Sequence, residues 1–587
     1  MTDDPASPTS PTGHAARDLA TLAERFWDGE MAAEPLAATA LGDRRFDDRL
    51  RPNGPGARDA ALERLRSVLD DAQAIPAADL GPRDRTTLDE LITVAGAELD
   101  AIGTGIQEWM VDPLDGPQVI FQNVPSFQPI RTASEARALL ARWEEMGPWI
   151  DRLTASSREA LGDGVGAPAA LARSVVDEID ELLARPVAEW PLSAPAGELP
   201  ADIPAPERQR LSDAILAAVA DGVRPALDRY RGFLAGQLGP VARGDDRPGL
   251  SHVPGGEAAY AALVRYHTTL ALGPEEIHRI GLTETERIDG EFRELGARLL
   301  GSADLATVLS RLRGDPALHF ATAREVFDVA QDTLDRANAA IPGWFGRLPK
   351  APCLVVEMGA HEAEHSTIAY YRQPAADGSR PGSYYINTTK PQTRPRYEAE
   401  TLAVHEAVPG HHLQIAIAQE LEGLPAFRRL GGHTAYVEGW GLYTERLSVE
   451  MGLISAGVAQ LGVVSFDAWR ACRLVVDTGM HALGWSRDQA IQFMVEHTAL
   501  AENNIVNEVD RYLAIPAQAL AYKIGQREIL RLRDRARAAL GSRFDIRGFH
   551  DAVLGQGAVG LATLGRIVDD WIAAQAAATG RPAMAGG

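Results

Sequence analysis

Apolar side chains recur every three to four residues along most of this 587-residue chain, and this period constrains the fold more than any other feature. Leu171, Val175, Ile179 and Leu182 fall on one stripe of the segment 169–186. Three further segments repeat the pattern: 274–300, 467–483 and 516–540. The period therefore predicts a mainly α protein built from amphipathic helices.

One region breaks the helical period. Between Pro352 and Thr389 the chain is rich in β-branched and aromatic residues, in the runs "CLVVEM", "STIAYY" and "GSYYINTT", which turn formers separate. This composition predicts a small sheet of about three strands. The helical pattern resumes in "RPRYEAETLAVHEA", where Pro395 suits a first helical turn.

The stretch "HEAEH", His361 to His365, matches the zinc-protease pattern HExxH letter for letter. That pattern needs a helix, because a spacing of four then places both histidines on one face. Both flanks of the stretch are typical of strands, and residues four apart in an extended chain lie roughly 13 Å apart. The stretch is therefore predicted to form a polar turn or hairpin tip.

A second motif, "HEAVPGHH", lies in a helical pattern but has the wrong spacing for HExxH. It places His405 and Glu406 before His411 and His412. In a regular helix His411 would be rotated by roughly 240° from His405. The Pro-Gly pair between them removes an amide donor and allows a bulge. Such a bulge would bring His411 beside His405 as a second metal ligand, with His412 as the alternative.

Catalytic zinc sites keep three protein ligands and an open position for water. Glu438, which Gly439, Trp440 and Gly441 follow in "YVEGWGLYTERL", is the predicted third ligand. Glu445, two turns later, is its rival, or else a solvated partner of Arg446. His433 is a candidate for substrate binding or for simple loop packing. One Zn²⁺ per chain is the predicted cofactor, and imidazole–carboxylate sites also accept Mn²⁺ or Co²⁺.

Five blocks between Tyr384 and Gly560 resemble, in the same order, the bacterial domain of unknown function 885 family: "HEAVPGHHLQ", "YVEGWGLYTERL", "DTGMH", "RYLAIPAQALAYKIG" and "FHDAVLGQG". More distantly, the chain resembles the helical gluzincin peptidases of the thimet-oligopeptidase, angiotensin-converting-enzyme and Taq-carboxypeptidase groups. Those proteins carry HExGH, a glutamate on a following helix, and an Arg-Tyr pair near the C-terminus.

This resemblance implies a large two-lobed helical body around a deep channel, with a small sheet beside the active-site helix. It matches His405-Glu406 to HE and Gly410-His411 to GH, with two extra residues between them. It also matches Glu438 to the third ligand and Arg511-Tyr512 to the Arg-Tyr pair.

The chemistry predicted from these residues is metal-assisted amide hydrolysis. Glu406 would take a proton from water and pass it to the leaving amine. The oxyanion of the tetrahedral intermediate needs a further donor. Tyr512 is the first candidate for that role and Tyr522 the second, although both would also serve as ordinary packing aromatics.

Substrate contacts are predicted in two places. Tyr385 and Asn387 would face an extended peptide if "GSYYINTT" were an edge strand. Arg511 or Lys523 would bind a substrate carboxylate.

Two further side chains are predicted behind the site. Asp477 and His481 are four residues apart on a helix, which favours a hydrogen-bonded pair behind the metal site or a structural cap beneath it.

Composition limits the partners and the location. The formal net charge of −23 argues against nucleic acid or an anionic membrane surface as partners. No window of about 18 apolar residues predicts a membrane span. Two cysteines do not make a disulfide framework, and no secretory signal is visible, so a cytoplasmic location is expected. The oligomeric state is left open.

Two lobes and two tails are expected along the chain: disordered tails at 1–15 and 578–587, a helical lobe at 16–350, and a catalytic lobe at 351–577. The proline-rich breaks near residues 186–206 and 240–254 are better explained as loops of one body than as linkers.

Three functions fit the sequence. The first is a zinc peptidase acting on short peptides. The second is a zinc enzyme acting on a non-peptide amide or a specialised metabolite. The third is a non-catalytic helical binding protein.

Overall fold

Helices make up most of the first 350 residues in the computed structural model, which describes residues 11–359, 363, 368–375, 378 and 380–578. The α-helices of this part are α1 (Pro11–Ala33), α2 (Pro35–Leu41), α3 (Ala57–Ala74), α4 (Pro82–Gly103), α5 (Pro117–Asn123), α6 (Ala133–Gly162), α7 (Ala169–Ala184), α8 (Ala205–Ala217), α9 (Arg224–Phe233), α10 (Gly256–Thr268), α11 (Pro274–Leu299), α12 (Leu305–Gly314) and α13 (Ala323–Ala340). Short π-helical stretches continue α8 and α9.

Helices also build the part that follows the sheet. They are α14 (Ala399–Glu406), α15 (His411–Gln419), α16 (Ala426–Leu430), α17 (Thr434–Glu450), α18 (Ala459–His481), α19 (Arg487–His497), α20 (Glu502–Ala514), α21 (Leu520–Leu540), α22 (Ile546–Leu554) and α23 (Leu561–Ala578). The protein is thus mainly α, as predicted. Among the described residues, no helix is both long and apolar enough to span a bilayer.

The spacing of the apolar residues predicted the positions of the long helices well. The buried stripe of α7 contains Leu171, Val175 and Ile179, as the period requires. Helix α21 begins four residues later than predicted, because residues 515–519 form a turn in which Ala517 has a φ of 69°. A positive φ is unusual for a residue with a Cβ atom, so this turn stores strain.

The predicted small sheet is confirmed, and its strands are β1 (Cys353–Glu357), β2 (Ala369–Arg372) and β3 (Gly382–Ile386). The strand order is β1-β3-β2, with β3 parallel to β1 and antiparallel to β2. The prediction that "GSYYINTT" is an edge strand is wrong, because β3 is the central strand and is paired on both sides. An extended peptide would have to pair with β1 or β2 instead.

The hydrophobic cores join residues from both sides of the lobe boundary predicted at residue 350. The largest core packs Tyr260 and Phe345 with Tyr384, Trp440 and Leu520. A second core packs α6, α7 and α9 against α18 and α20. The deep channel between two lobes remains a prediction.

Some predictions concern residues near the ends of the described ranges or outside them. Residues 11–15 were expected in a disordered tail, but α1 begins at Pro11 and includes them. The metal-binding pattern at His361 and His365 lies outside the described residues, as do residues 1–10 and 579–587.

Candidate metal centre

The second His-Glu motif forms two helices joined by a tight turn, rather than one bulged helix. Helix α14 ends at Glu406, and α15 begins at His411. The Val408–Pro409 peptide bond is cis. A Cβ atom on Gly410 would lie 1.9 Å from the His405 carbonyl oxygen, so only glycine allows this close return of the chain. The indole of Trp440 donates to the Pro409 carbonyl at 2.9 Å and ties the turn to α17.

This turn brings three predicted ligands together. One ligand atom from each of His405, His411 and Glu438 lies within 4.8 Å of the other two. The Oε2 atom of Glu438 is 3.4 Å from His411 Nε2 and 3.7 Å from His405 Nε2. Ligands of a tetrahedral zinc ion, each at about 2.0–2.1 Å, lie roughly 3.3–3.4 Å apart. Across the part of the chain that the structure describes, no other His/Cys/Asp/Glu group meets this criterion.

His405 lies between two carboxylates of α17 that are two helical turns apart. Its Nδ1 atom is 2.8 Å from Glu445 Oε1, and its Nε2 atom faces Glu438. Donation from Nδ1–H to Glu445 leaves the Nε2 lone pair directed toward the ligand cluster. Gly441 makes room for the ring, since a Cβ atom there would lie 2.7–3.1 Å from three ring atoms. Glu445 is therefore a buried partner of His405, not a solvated one.

The electrostatics of the cluster favour a bound cation. Burial alone would raise the pKa of Glu438, but the neighbouring His411 and His405 hold it well below its usual range. Burial lowers the pKa of His405, yet hydrogen bonds to Glu438 and Glu445 outweigh it and raise this pKa to about 9. The carboxylates thus require positive charge beside them. Metal binding would supply it and displace the imidazole protons.

Glu406 directly follows His405, and its charge interacts with those of His405, His411 and Glu438. It is partly exposed, and it makes no hydrogen bond to any described residue. Burial raises its pKa, and the nearby His405 and His411 only partly offset that effect. A free carboxylate with a raised pKa has the properties of a general base.

The structure distinguishes His411 from His412. The ring of His412 turns toward the sheet, where Nδ1 lies 3.0 Å from the Tyr371 hydroxyl and Nε2 lies 3.0 Å from the Ala351 carbonyl oxygen. Burial lowers its pKa to about 4, so it is neutral. His412 therefore anchors α15 to the sheet, and His411 takes the place beside His405.

The prediction that Tyr512 stabilises an oxyanion does not fit the structure. Tyr512 is 1% exposed, and its hydroxyl donates to Glu508 Oε2 at 2.7 Å. The Tyr512 hydroxyl oxygen also accepts from Arg473 Nε at 2.9 Å and from the Trp469 indole at 3.1 Å. The hydroxyl has no proton left for a substrate.

Tyr522, the second candidate, is placed better. Its hydroxyl makes no hydrogen bond to a described residue. Its helix, α21, crosses α17 where Gly439 meets Gly525; a Cβ atom on Gly439 would lie 2.5 Å from the Gly525 backbone. Tyr522 is thus one turn from the crossing and Glu438 one residue from it.

The predicted carboxylate-binding role of Lys523 is also excluded by its contacts. Its ammonium group donates to Asp467 at 2.5 Å and to Gln526 at 2.8 Å, and the side chain is 1% exposed. Arg511 remains available: its side chain is 21% exposed and donates to the neutral Gln518 at 2.9 Å.

The two strand residues expected to face a peptide have structural partners. The Tyr385 ring stacks on Tyr370 of β2, with centroids 4.9 Å apart. Asn387 is 1% exposed, donates to the Ala363 carbonyl at 2.7 Å, and accepts from Thr389. The Asn387 amide is therefore occupied within the protein.

His433 was expected either at the substrate or in loop packing, and it takes the structural role. Its Nε2 atom lies 2.9 Å from Glu90, a buried carboxylate that also accepts from the Gly560 amide. His433 thus links α17 to the N-terminal helices.

Asp477 and His481 do not bond to each other, so the predicted pair is absent. Asp477 accepts from the Tyr260 hydroxyl at 2.5 Å and from the Ala517 amide at 3.2 Å. His481 donates to the Tyr512 carbonyl at 3.0 Å and accepts from the Leu250 amide at 3.3 Å. Asp477 holds the strained turn between α20 and α21, and His481 bonds to the last turn of α20, which fits the alternative prediction of a structural cap.

Sequence reasoning missed the orienting role of Glu445 and the arginines of α18. Glu445 is seven residues after Glu438, a spacing that returns to the same helical face. That spacing was the available signal. Arg470 and Arg473, three apart in an otherwise apolar run, gave a similar signal, because buried arginines need partners.

Comparisons with known proteins agree with this fold. A solved structure from Colwellia psychrerythraea, described as a candidate lipoprotein, superposes with a TM-score of 0.87 at 26% identity, covering 97% of this chain and 100% of that chain. A candidate lipoprotein of unknown function from Shewanella oneidensis superposes with a TM-score of 0.70 at 18% identity, covering 94% and 99%. No curated protein matches. The family model of DUF885, bacterial protein of unknown function, matches residues 35–568. This chain belongs to the DUF885 family.

Proposed function

We propose that this protein is a metal-dependent amide hydrolase that acts on short peptides, with one Zn²⁺ held by His405, His411 and Glu438. The observation that carries the proposal is the cluster of two imidazoles and one carboxylate within 4.8 Å, beside the unbonded carboxylate of Glu406. A site that only stored metal or stiffened the fold would not need a free general base next to its ligands.

Each residue of the site has a separate role in this proposal. A zinc ion held there would polarise the scissile carbonyl and lower the pKa of water. Glu406 accepts a proton from the attacking water and delivers it to the leaving amine. Tyr522 donates a hydrogen bond to the oxyanion of the tetrahedral intermediate. Glu445 keeps the His405 ring in the tautomer and orientation that expose Nε2.

The direct test is metal analysis of the purified chain followed by digestion of a peptide library. We expect about one zinc per chain, and Glu406→Gln should keep that metal while turnover falls by at least about 100-fold. His405→Ala should lose the metal. Glu502→Gln, an exposed change on α20, is the matched control and should match the unmodified protein in both measurements.

Two outcomes would contradict the proposal: a purified chain that binds no divalent metal, or a Glu406→Gln variant with full turnover. A metal-bound chain that hydrolyses N-acyl amides but no peptide would assign the activity to non-peptide amides.

The location is tested separately. The sequence favours the cytoplasm, whereas both structural relatives are described as candidate lipoproteins, so the cell envelope is the competing location. Fractionation of the producing bacterium with an antibody against the full chain distinguishes the two.

A further inference from the structure

Two arginines of α18 lie over the Tyr522 ring, and a third, on α20, is linked to them by a shared carboxylate. The guanidinium carbon of Arg473 lies 4.4 Å from the ring centroid, and that of Arg470 lies 5.8 Å from it. Both guanidinium carbons also lie 4.4 Å from the Trp469 ring. Arg511 joins them through Glu508, which is 3.6 Å from Arg511 Nη1 and accepts from Arg473 Nη2 at 2.8 Å. We call Arg470, Arg473 and Arg511 the guanidinium cluster.

Within 4 Å, the three guanidinium groups of the cluster share two described carboxylates. Other carboxylates interact with them electrostatically over longer distances: Glu398, Glu406, Asp477 and Asp115. Glu508 is the carboxylate that Arg473 and Arg511 share. Glu445 lies 3.8 Å from Arg470, but it already accepts from His405.

Two donors of the cluster lack partners within the described residues. Arg470 Nε and Arg473 Nη1 make no hydrogen bond, although their side chains are only 6% and 2% exposed. Buried donors without partners are rare and cost free energy. Their presence beside Tyr522 points to a ligand that accepts hydrogen bonds there.

The cluster is connected to the metal centre and is also open to solvent. Arg470 reaches Glu445, which orients His405, so a single side chain separates the cluster from the ligand shell. The opening is on the side of α20, where Arg511 is 21% exposed and Glu508 is 19% exposed. A group from solution therefore reaches the cluster at Arg511 first.

We propose that the guanidinium cluster binds a carboxylate of the substrate, so that the enzyme acts on amides carrying a free carboxylate close to the cleaved bond. A short peptide with a free C-terminal α-carboxylate has this chemistry, and so does one with an acidic side chain at that position. Planar guanidinium groups bind carboxylates through two parallel hydrogen bonds. Arg511, the most exposed of the three, makes the first contact. This inference rests on the amide-hydrolase function proposed above.

The test compares three peptides that differ at their last residue: a free acid, its C-terminal amide, and an amide that ends in glutamate. We expect the free acid to be cleaved with a kcat/KM about 10- to 100-fold above that of the amide. Arg511→Met should remove most of that preference, Arg511→Lys should keep part of it, and the zinc content should not change. Cleavage of the glutamate amide at the rate of the free acid would assign the carboxylate to the side chain.

A binding measurement keeps the inference separate from the proposed activity. Calorimetry with Glu406→Gln should show the free-acid peptide binding about 10-fold or more tightly than its amide, and Arg511→Met should abolish the difference. Arg487→Met, which removes a partly buried arginine paired with Asp510, is the control and should preserve it. If acid and amide bind equally, the inference is overturned. If the acid binds in an Arg511-dependent manner but no peptide is cleaved, the carboxylate site stands and the hydrolase function fails.

Discussion

The Nδ1 atom of His405 lies 2.8 Å from Glu445 Oε1, and both side chains are at most 3% exposed. The pair fixes the direction of the Nε2 lone pair toward Glu438 and His411. Because Arg470 approaches the same carboxylate at 3.8 Å, the contact also connects the ligand shell to the guanidinium cluster. A single buried glutamate thus holds the His405 ring and links the two parts of the candidate site.

Glu445→Gln is expected to weaken metal binding without removing a ligand. Loss of an outer carboxylate partner typically lowers metal affinity or activity by about 10- to 100-fold. Competition with a fluorescent chelator would measure the zinc affinity. Glu450→Gln is the control, because Glu450 lies on the same helix, is 44% exposed and pairs with Arg533. An unchanged affinity in Glu445→Gln would show that the contact does not orient His405.

His411→Ala and His412→Ala should have opposite effects. His411→Ala removes a ligand, so zinc affinity should fall by more than the roughly 100-fold expected for an outer partner. His412→Ala should keep the metal and instead lower the free energy of unfolding by about 1–3 kcal/mol, because the partly buried Tyr371 and Ala351 lose their hydrogen bonds. Metal content and urea denaturation measure the two effects. Loss of zinc in His412→Ala with retention in His411→Ala would reverse the assignment.

Tyr522→Phe should reduce kcat while Tyr512→Phe should reduce stability. Removing one donor to an oxyanion costs about 10²- to 10³-fold in kcat. Tyr512→Phe removes one donor to Glu508 and leaves Arg473 Nε and the Trp469 indole without their acceptor, so it should cost about 1–3 kcal/mol of unfolding free energy. Steady-state kinetics on one peptide and a denaturation curve for each variant separate the roles. A large kcat loss in Tyr512→Phe alone would restore Tyr512 as the donor.

Local patterns in the sequence predicted the helices and the three clustered ligands. Helical period and chain spacing are local properties, and they favoured the His405 motif over His361–His365, which lies outside the described residues. The choice between His411 and His412 needed the backbone of the 407–410 turn, which Gly410 and the contact from Trp440 define. That geometry depends on tertiary packing and not on spacing.

The errors share a physical cause. Lys523 and Tyr512 have suitable chemistry for a site, but each is bonded to a carboxylate that sequence cannot assign, Asp467 and Glu508. The order of the strands is likewise not visible in the sequence. The β-branched and aromatic residues of β3 favour a strand, but they do not indicate whether it lies at the centre or the edge of the sheet.

The turn that precedes Tyr522 leads to a prediction about pH. Asp477 is fully buried and accepts hydrogen bonds from Tyr260 and from the amide of the strained Ala517. Burial raises the pKa of its carboxyl group to about 7, whereas an aspartate in an unfolded chain has a pKa of about 3.9. The folded state therefore favours the protonated form. This contribution to stability is complete below about pH 4 and is lost as the pH rises through about 7.

Asp477→Asn keeps an oxygen that can accept from Tyr260 and Ala517 but cannot ionise. The free energy of unfolding of this variant, relative to the unmodified protein, should therefore rise between pH 4 and pH 8 by a value on the order of 4 kcal/mol. Denaturant titrations at four pH values across that range would measure it. Asp488→Asn, an exposed change in the first turn of α19, should show a difference that hardly varies with pH. If the difference for Asp477→Asn is equally flat, the carboxyl group does not titrate in this range. The turn before Tyr522 would then be held equally well at every pH.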